Sequence, residues 1–137
     1  MSDNKTVARD FYAALAAGGD VDAAIEQFVA QDFVEHEALP GMDATRETPR
    51  RMFTMMHAAF RDFGITVHDL LAEGDKVVAR ITFTGTHQGE FLGAPASGNQ
   101  VAIDGIDILQ IRDGKVAAHW GVTDMAGAMA QMGMGPG

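Results

Sequence analysis

The hydrophobic pattern of this chain changes its period once, and that change limits the fold more than any other feature. Before Gly64, apolar residues recur at helical spacing; after it they alternate. Val7, Phe11 and Leu15 stand four apart with Ala8 and Tyr12 beside them, which is a helix with one apolar face. Gly18-Gly19 stops it, since glycine takes the left-handed cap conformation at little cost. Asp20 caps a shorter helix carrying Val21, Ile25, Phe28 and Val29. Phe33 to Pro40 reads as irregular. Thr48-Pro49 reads as a helix start, a hydroxyl cap followed by proline, with Met52, Phe53, Met56, Phe60 and Phe63 at helical spacing until Gly64.

From Ile65 the period is two. Lys76 to His87 places Val77, Ala79, Ile81 and Phe83 on one face and Arg80, Thr82 and Thr84 on the other, a strand with one side on the core. Gly74-Asp75 is turn chemistry, and Gln88 to Gln100 is a Gly/Pro/Ser-rich loop interrupted by Phe91-Leu92. Val101 to Ile111 and Lys115 to Thr123 are further strands, and a short helix follows from Asp124. About three N-terminal helices followed by hairpin-linked strands is an α+β pattern. At 137 residues, 47% of them hydrophobic, one domain over 1–137 with a single core is expected, its end fraying from about 132 to 137.

With no cysteine, disulfides and thiol catalysis are excluded. A net charge of -9 argues against a nucleic-acid partner, and Arg46, Arg50 and Arg51 read as a solvated helix start. No apolar run approaches the roughly 20 residues that cross a bilayer. No leader is visible in Ser2-Asp3-Asn4, so a cytoplasmic setting without membrane partners is expected. The five histidines lack metal spacing, and no phosphate or dinucleotide glycine motif is present, so neither metal nor cofactor is expected. Ser97 lacks the G-x-S-x-G context of a nucleophilic serine.

A site emerges from the last hairpin. If Arg112-Asp113-Gly114 is a three-residue loop with Gly114 left-handed, Asp107 faces His119 and Gly105 faces Gly121. Facing residues bring their Cβ atoms to about 4.5–5.5 Å, so the carboxylate can orient the imidazole and raise its pKa. A two-residue Asp-Gly turn shifts the register by one and breaks the pair. The neighbours Val101, Ile103, Leu109 and Ala117 are apolar, and the pair reads equally as an acid–base device or as a structural link. Phe33, Phe53, Met56, Phe60, Ile81, Phe83 and Phe91 are the apolar residues expected to hold a small hydrophobic molecule. His36, His57 and His87 are further candidates for contact with it. Each also has a plainer reading: an acidic solvated loop, a satisfied core histidine and a turn residue respectively.

Three segments carry a family resemblance: Gly85-Thr86-His87-Gln88-Gly89-Glu90-Phe91-Leu92-Gly93, Ile108-Leu109-Gln110-Ile111-Arg112-Asp113-Gly114-Lys115-Val116, and His119-Trp120-Gly121-Val122-Thr123-Asp124. With Phe11-Tyr12 and Asp32-Phe33-Val34 they resemble the SnoaL-like polyketide (ester) cyclases over nearly the whole chain. The resemblance implies the cone-shaped fold shared with nuclear transport factor two, ketosteroid isomerase and scytalone dehydratase, with a pocket inside a bent sheet. It also implies a homodimer through the outer sheet face, where Arg80, Thr82 and Thr84 lie. The characterised cyclases close an aldol ring without metal or cofactor, using an acidic residue two positions after the last-strand histidine and an assisting histidine one strand earlier. Here those positions hold Gly121 and Asp107, whereas His119 and Asp124 match the pattern. The reading that follows is a cofactor-independent cyclase, isomerase or lyase acting on a hydrophobic carbonyl or ester compound. Asp107 would be its base, His119 its orienter or acid, and Asp124 a substrate contact. Two alternatives stand beside it: a hydrolase of the epoxide hydrolase type, built on Asp107, Asp124 and an arginine, and a non-catalytic module that binds a hydrophobic ligand.

Overall fold

The computed structural model describes residues 3–134 apart from Gly19 and Leu39. Helices α1 (Asn4–Ala16) and α2 (Val21–Phe28) are followed by strand β1 (Val29–Glu35) and helix α3 (Glu47–Ala59). Four strands come next: β2 (Phe60–Glu73), β3 (Lys76–His87), β4 (Gln100–Arg112) and β5 (Lys115–Thr123). Helix α4 (Met125–Gln131) closes the order. The strands form one open, curved sheet in the order β1-β5-β4-β3-β2, antiparallel except that β1 runs parallel to β5.

The helices form where the sequence caps them. Asp3 accepts from the Thr6 N–H at 2.7 Å and starts α1, which buries Val7, Phe11 and Leu15. Asp20 does the same for α2 through the Ala23 N–H at 3.0 Å, as expected of an Asx N-cap. Helix α3 departs from expectation. Thr48 lies inside its first turn, and its hydroxyl donates to the Asp43 carbonyl at 2.5 Å. The cap position belongs to Arg46, which makes no side-chain cap bond. Arg46 and Arg50 are paired with Glu26 and Asp22 of α2, so this basic cluster is a neutralised surface seam.

Two strands correct the sequence reading. Phe33 is not in an irregular stretch but within β1. Phe60 and Phe63 do not extend the third helix; they open β2. Residues three apart in a regular strand point to opposite faces, but Asp62 has φ +57° and the β2–β3 ladder shifts between Arg61 and Gly64. That irregularity turns both phenylalanines inward, with an offset that also fits a helix. The expected frayed end begins with Met132, which is instead buried against the core at 2% exposure; 135–137 lie outside the described residues.

The strands β2 and β3 come close where Gly85 faces Phe60. A Cβ on Gly85 would meet the Phe60 Cβ at 2.7 Å and the Arg61 carbonyl oxygen at 3.1 Å. Gly85→Ala is therefore expected to cost about 1–3 kcal/mol through overpacking. The urea midpoint should fall with an unchanged m-value, and an unaltered midpoint would show that the strands are not this close.

Candidate functional site

Strand β4 alternates strictly. Val101, Ile103, Gly105, Asp107, Leu109 and Ile111 point inward, so a carboxylate is carried to the core face by the same period that buries its neighbours. The turn that follows has two residues, Asp113 and Gly114, with φ +54° and +75°, as a type I′ hairpin requires. The three-residue loop inferred from the sequence is therefore corrected. A two-residue turn alone would put His119 on the outer face. The ladder, however, shifts between Gln110↔Ala118 and Ile111↔Val116, leaving Ala117 as an extra residue in β5. Beyond this bulge Leu109 faces His119 and Asp107 faces Gly121, not His119 as the sequence suggested. Asp107 and His119 nevertheless meet diagonally, His119 Nε2 donating to Asp107 Oδ1 at 2.8 Å.

The pair extends at both ends. The Tyr12 hydroxyl of α1 donates to Asp107 Oδ2 at 2.6 Å. On the other side, His119 Nδ1 donates to Glu35 Oε1 of β1 at 2.5 Å. A chain Tyr12–Asp107–His119–Glu35 thus joins α1, β4, β5 and β1. Glu37, just past β1, adds a third carboxylate, with Oε1 3.6 Å from His119 Nε2 and Oε2 accepting from the Thr123 hydroxyl at 3.3 Å. Its loop is fastened by the His36 N–H donating to the His119 carbonyl at 2.9 Å. The His36 ring also stacks on Trp120 with centroids 4.5 Å apart.

Electrostatics follow from this placement. Burial opposes a charge on His119, but hydrogen bonds to Asp107 and Glu35, and then their charges, outweigh it and raise its pKa from 6.5 to about 10. The ring is then an imidazolium at neutral pH, donating from both nitrogens. Burial, followed by the charge of Asp107 and the hydrogen bond to it, holds the Tyr12 phenol well above its usual value, so it remains a donor. Glu37 is raised chiefly by burial and further by Asp107 and Glu35, while His119 and the Thr123 bond oppose this.

The cluster lies on the wall of a cavity of about 140 Å³ between the sheet and the helices. Of the residues expected to line it, Phe33, Phe53, Met56, Phe83, Phe91, Asp107 and His119 do so. The others are placed elsewhere. His36 is on the outer side against Trp120, and His57 donates to the Leu15 carbonyl at 2.7 Å and packs on Phe63. Phe60 and Ile81 are fully in the core behind the cavity. His87, fully buried, bonds Ser97 Oγ at 2.9 Å and ties down the loop that brings Phe91 to the cavity. Asp124 accepts from the Gly127 N–H at 2.8 Å as the cap of α4. Tyr12, Glu35 and Glu37 line the cavity and were not singled out from the sequence. A signal was there, because Phe33, Glu35 and Glu37 are two apart, the spacing of one strand face.

Glu37, Asp107 and His119 each offer a ligand atom within 4.8 Å of the others, close enough to hold a small cation. His119 and Asp107 are already bonded directly to each other, Nε2 to Oδ1. No helix of the described residues is long and apolar enough to cross a membrane.

An open, curved five-stranded sheet with helices over a cavity places the chain in the cone-shaped class of small α+β proteins. The model of the SnoaL-like polyketide cyclase family matches residues 6–132, and the chain belongs to that family. TsrD from Streptomyces laurentii is 32% identical, with a TM-score of 0.84 over 94% of this chain and 93% of TsrD. IdmH from Streptomyces antibioticus, provisionally described as a polyketide cyclase, is 28% identical with a TM-score of 0.82 over 96% of this chain and 99% of its own. AclR from Streptomyces galilaeus, provisionally described as a hydroxylase, is 29% identical with a TM-score of 0.83 over 98% of this chain and 87% of its own. Among curated proteins no significant match is found.

The raised His119 pKa has a sign that can be checked. The stability it contributes is complete below about 6.5 and is lost as pH rises through about 10. The urea midpoint should therefore decline between these values, and less steeply in Asp107→Asn. In the same variant the ring's own NMR titration should move down toward 6.5. A wild-type ring titrating near 6.5 would remove the coupled pair.

Proposed function

We propose that this protein is a cofactor-independent acid–base catalyst acting on a small hydrophobic carbonyl or ester compound. The observation that carries the proposal is the Asp107–His119 pair, hydrogen-bonded at 2.8 Å on the wall of an apolar cavity. Asp107 accepts a hydrogen bond on each oxygen, from Tyr12 and from His119. A carboxylate aimed at apolar space is suited to taking a proton from carbon next to a carbonyl, as enolisation, isomerisation and aldol closure all require. Membership of a polyketide cyclase family fits substrates of that kind. The hydrolase reading gains less support, because Asp124 is committed to a helix cap and no arginine lines the cavity among the described residues.

A cavity of about 140 Å³ is of the scale that holds a benzene-sized body. 2-Indanone, an aromatic ketone with acidic α-protons, is thus a suitable probe. Wild-type protein in D2O is expected to accelerate α-proton exchange of 2-indanone, followed by NMR. Asp107→Asn should lower the rate by about 10²- to 10⁴-fold, the usual contribution of a positioned base. Binding of 2-indanone without exchange would favour the module that only holds a hydrophobic ligand.

We also infer a homodimer through the outer sheet face. There Ile106 and Val122 are 51% and 75% exposed in the row that pairs with Arg80, whereas Thr82, expected on the same open face, is buried and bonded to His68 and Asp104. Light scattering should give twice the chain mass, and Val122→Lys should shift the species toward one chain. A wild-type mass of one chain removes this assembly.

A further inference from the structure

We propose that Glu37 is the general acid of this site, giving a proton to the substrate's carbonyl oxygen while Asp107 takes one from the adjacent carbon. The assignment rests on the acid–base reading above and adds the second proton-transfer group.

The three carboxylates of the cluster are committed to different degrees. Glu35 Oε1 accepts from His119 Nδ1 and from the Glu37 N–H at 2.9 Å. Asp107 has a donor on each oxygen. Glu37 has only the long 3.3 Å bond from Thr123 on Oε2, while Oε1 stands 3.6 Å from His119 Nε2, beyond hydrogen-bond distance. Glu37 Oε1 and Glu35 Oε2 are thus the cluster's carboxylate oxygens without a hydrogen bond among the described residues, and of these two residues only Glu37 lacks a direct bond to His119.

Two carboxylates this close do not ionise equally, and the one whose charged form has donors keeps the charge. Glu37 has the weakest donors of the cluster, so its protonated form is favoured. The groups facing Glu37 are His119, Asp107, Glu35, Tyr12 and Thr123, and no lysine or arginine lines the cavity among the described residues. The raised Glu37 pKa agrees with this partition.

Gly121 is what lets Glu37 in. A Cβ there would lie 2.5 Å from Glu37 Oε1, 2.6 Å from Asp107 Oδ1 and 2.7 Å from His119 Nε2. The bare α-carbon of β5 leaves that space to a carboxylate arriving from another segment.

The chemistry also calls for an acid. As Asp107 takes the proton its negative charge passes to the substrate oxygen, and an acid at that oxygen gives a neutral enol instead of an enolate. With Glu37 acting, the C–H bond breaks toward Asp107 as an O–H bond forms from Glu37, giving a neutral enol, a protonated Asp107 and an ionised Glu37. The reverse transfer, to the same or a conjugated carbon, restores both residues.

The test uses 2-indanone exchange across pH with wild type, Asp107→Asn and Glu37→Gln, each checked for folding by urea midpoint. Glu37→Gln is expected to slow exchange about 100-fold. It should also abolish the fall in wild-type rate that tracks the Glu37 titration, because glutamine has no proton to lose, and leave only the change that accompanies His119 deprotonation at about 10. Exchange that survives Glu37→Gln but not Asp107→Asn overturns the role of Glu37 and leaves the acid–base reading intact. A slowed Glu37→Gln that keeps the fall at the wild-type Glu37 midpoint also overturns it, since the effect is then structural. Wild type without exchange removes the acid–base reading and this role with it. A carbon-13 NMR titration of the Glu37 carboxyl needs no turnover; a midpoint above 4.5 is expected, and one at or below 4.5 overturns the assignment.

Discussion

Everything at this site depends on one imidazole held between two carboxylates. His119 joins Asp107 of β4 to Glu35 of β1, and Asp107 in turn joins Tyr12 of α1. Burying these groups is unfavourable unless each is paired, and here each is. Removing one member of a buried pair typically costs about 3–5 kcal/mol, because the partner is left without compensation. The chain therefore fixes four elements around the cavity and sets its charge in the same act.

The fold positions this chain of bonds through two local irregularities. Ala117 is the extra residue of β5 that returns His119 to the inner face after a two-residue turn. Asp62, with its positive φ, turns Phe60 and Phe63 inward and moves the strand boundary back to the end of α3. Bulges of this kind re-aim side chains next to functional sites. Without them, strict alternation would place His119 and one of the phenylalanines in solvent.

Much of this was legible in the sequence, and the failures have physical causes. The change of period gave the helices and the central strands, because alternation over β3 and β4 is long and regular. The contact of Asp107 with His119 was expected for a reason that did not hold. The shorter turn and the unseen bulge each move the register by one residue in the same direction, so His119 keeps the inner face while the pair becomes diagonal instead of opposite. Asp113-Gly114 is compatible with two turn lengths, and no residue pattern marks Ala117 as unpaired. Glu35 and Glu37 read as a solvated acidic stretch because charge outweighed their two-residue spacing from Phe33. His36, between them, points the other way, onto Trp120. His57 is bonded to a carbonyl and His87 to a serine through Nδ1, with the His87 Nε2 buried and unpartnered among the described residues, and single-residue reading cannot distinguish such uses from ligand contact.

The bare α-carbon at Gly121 has a consequence for how such a protein can diverge. A carboxylate carried on a strand is bound to that strand's register, and any change in reach disturbs the ladder. One carried on the connection after β1 is not, since segments between elements accept insertions and substitutions that strands do not. With position 121 vacant, the depth and angle of the acid become heritable properties of residues 36 to 46. The hairpin that carries Asp107 and His119 can then stay fixed while the Glu37 carboxylate is repositioned at the cavity wall.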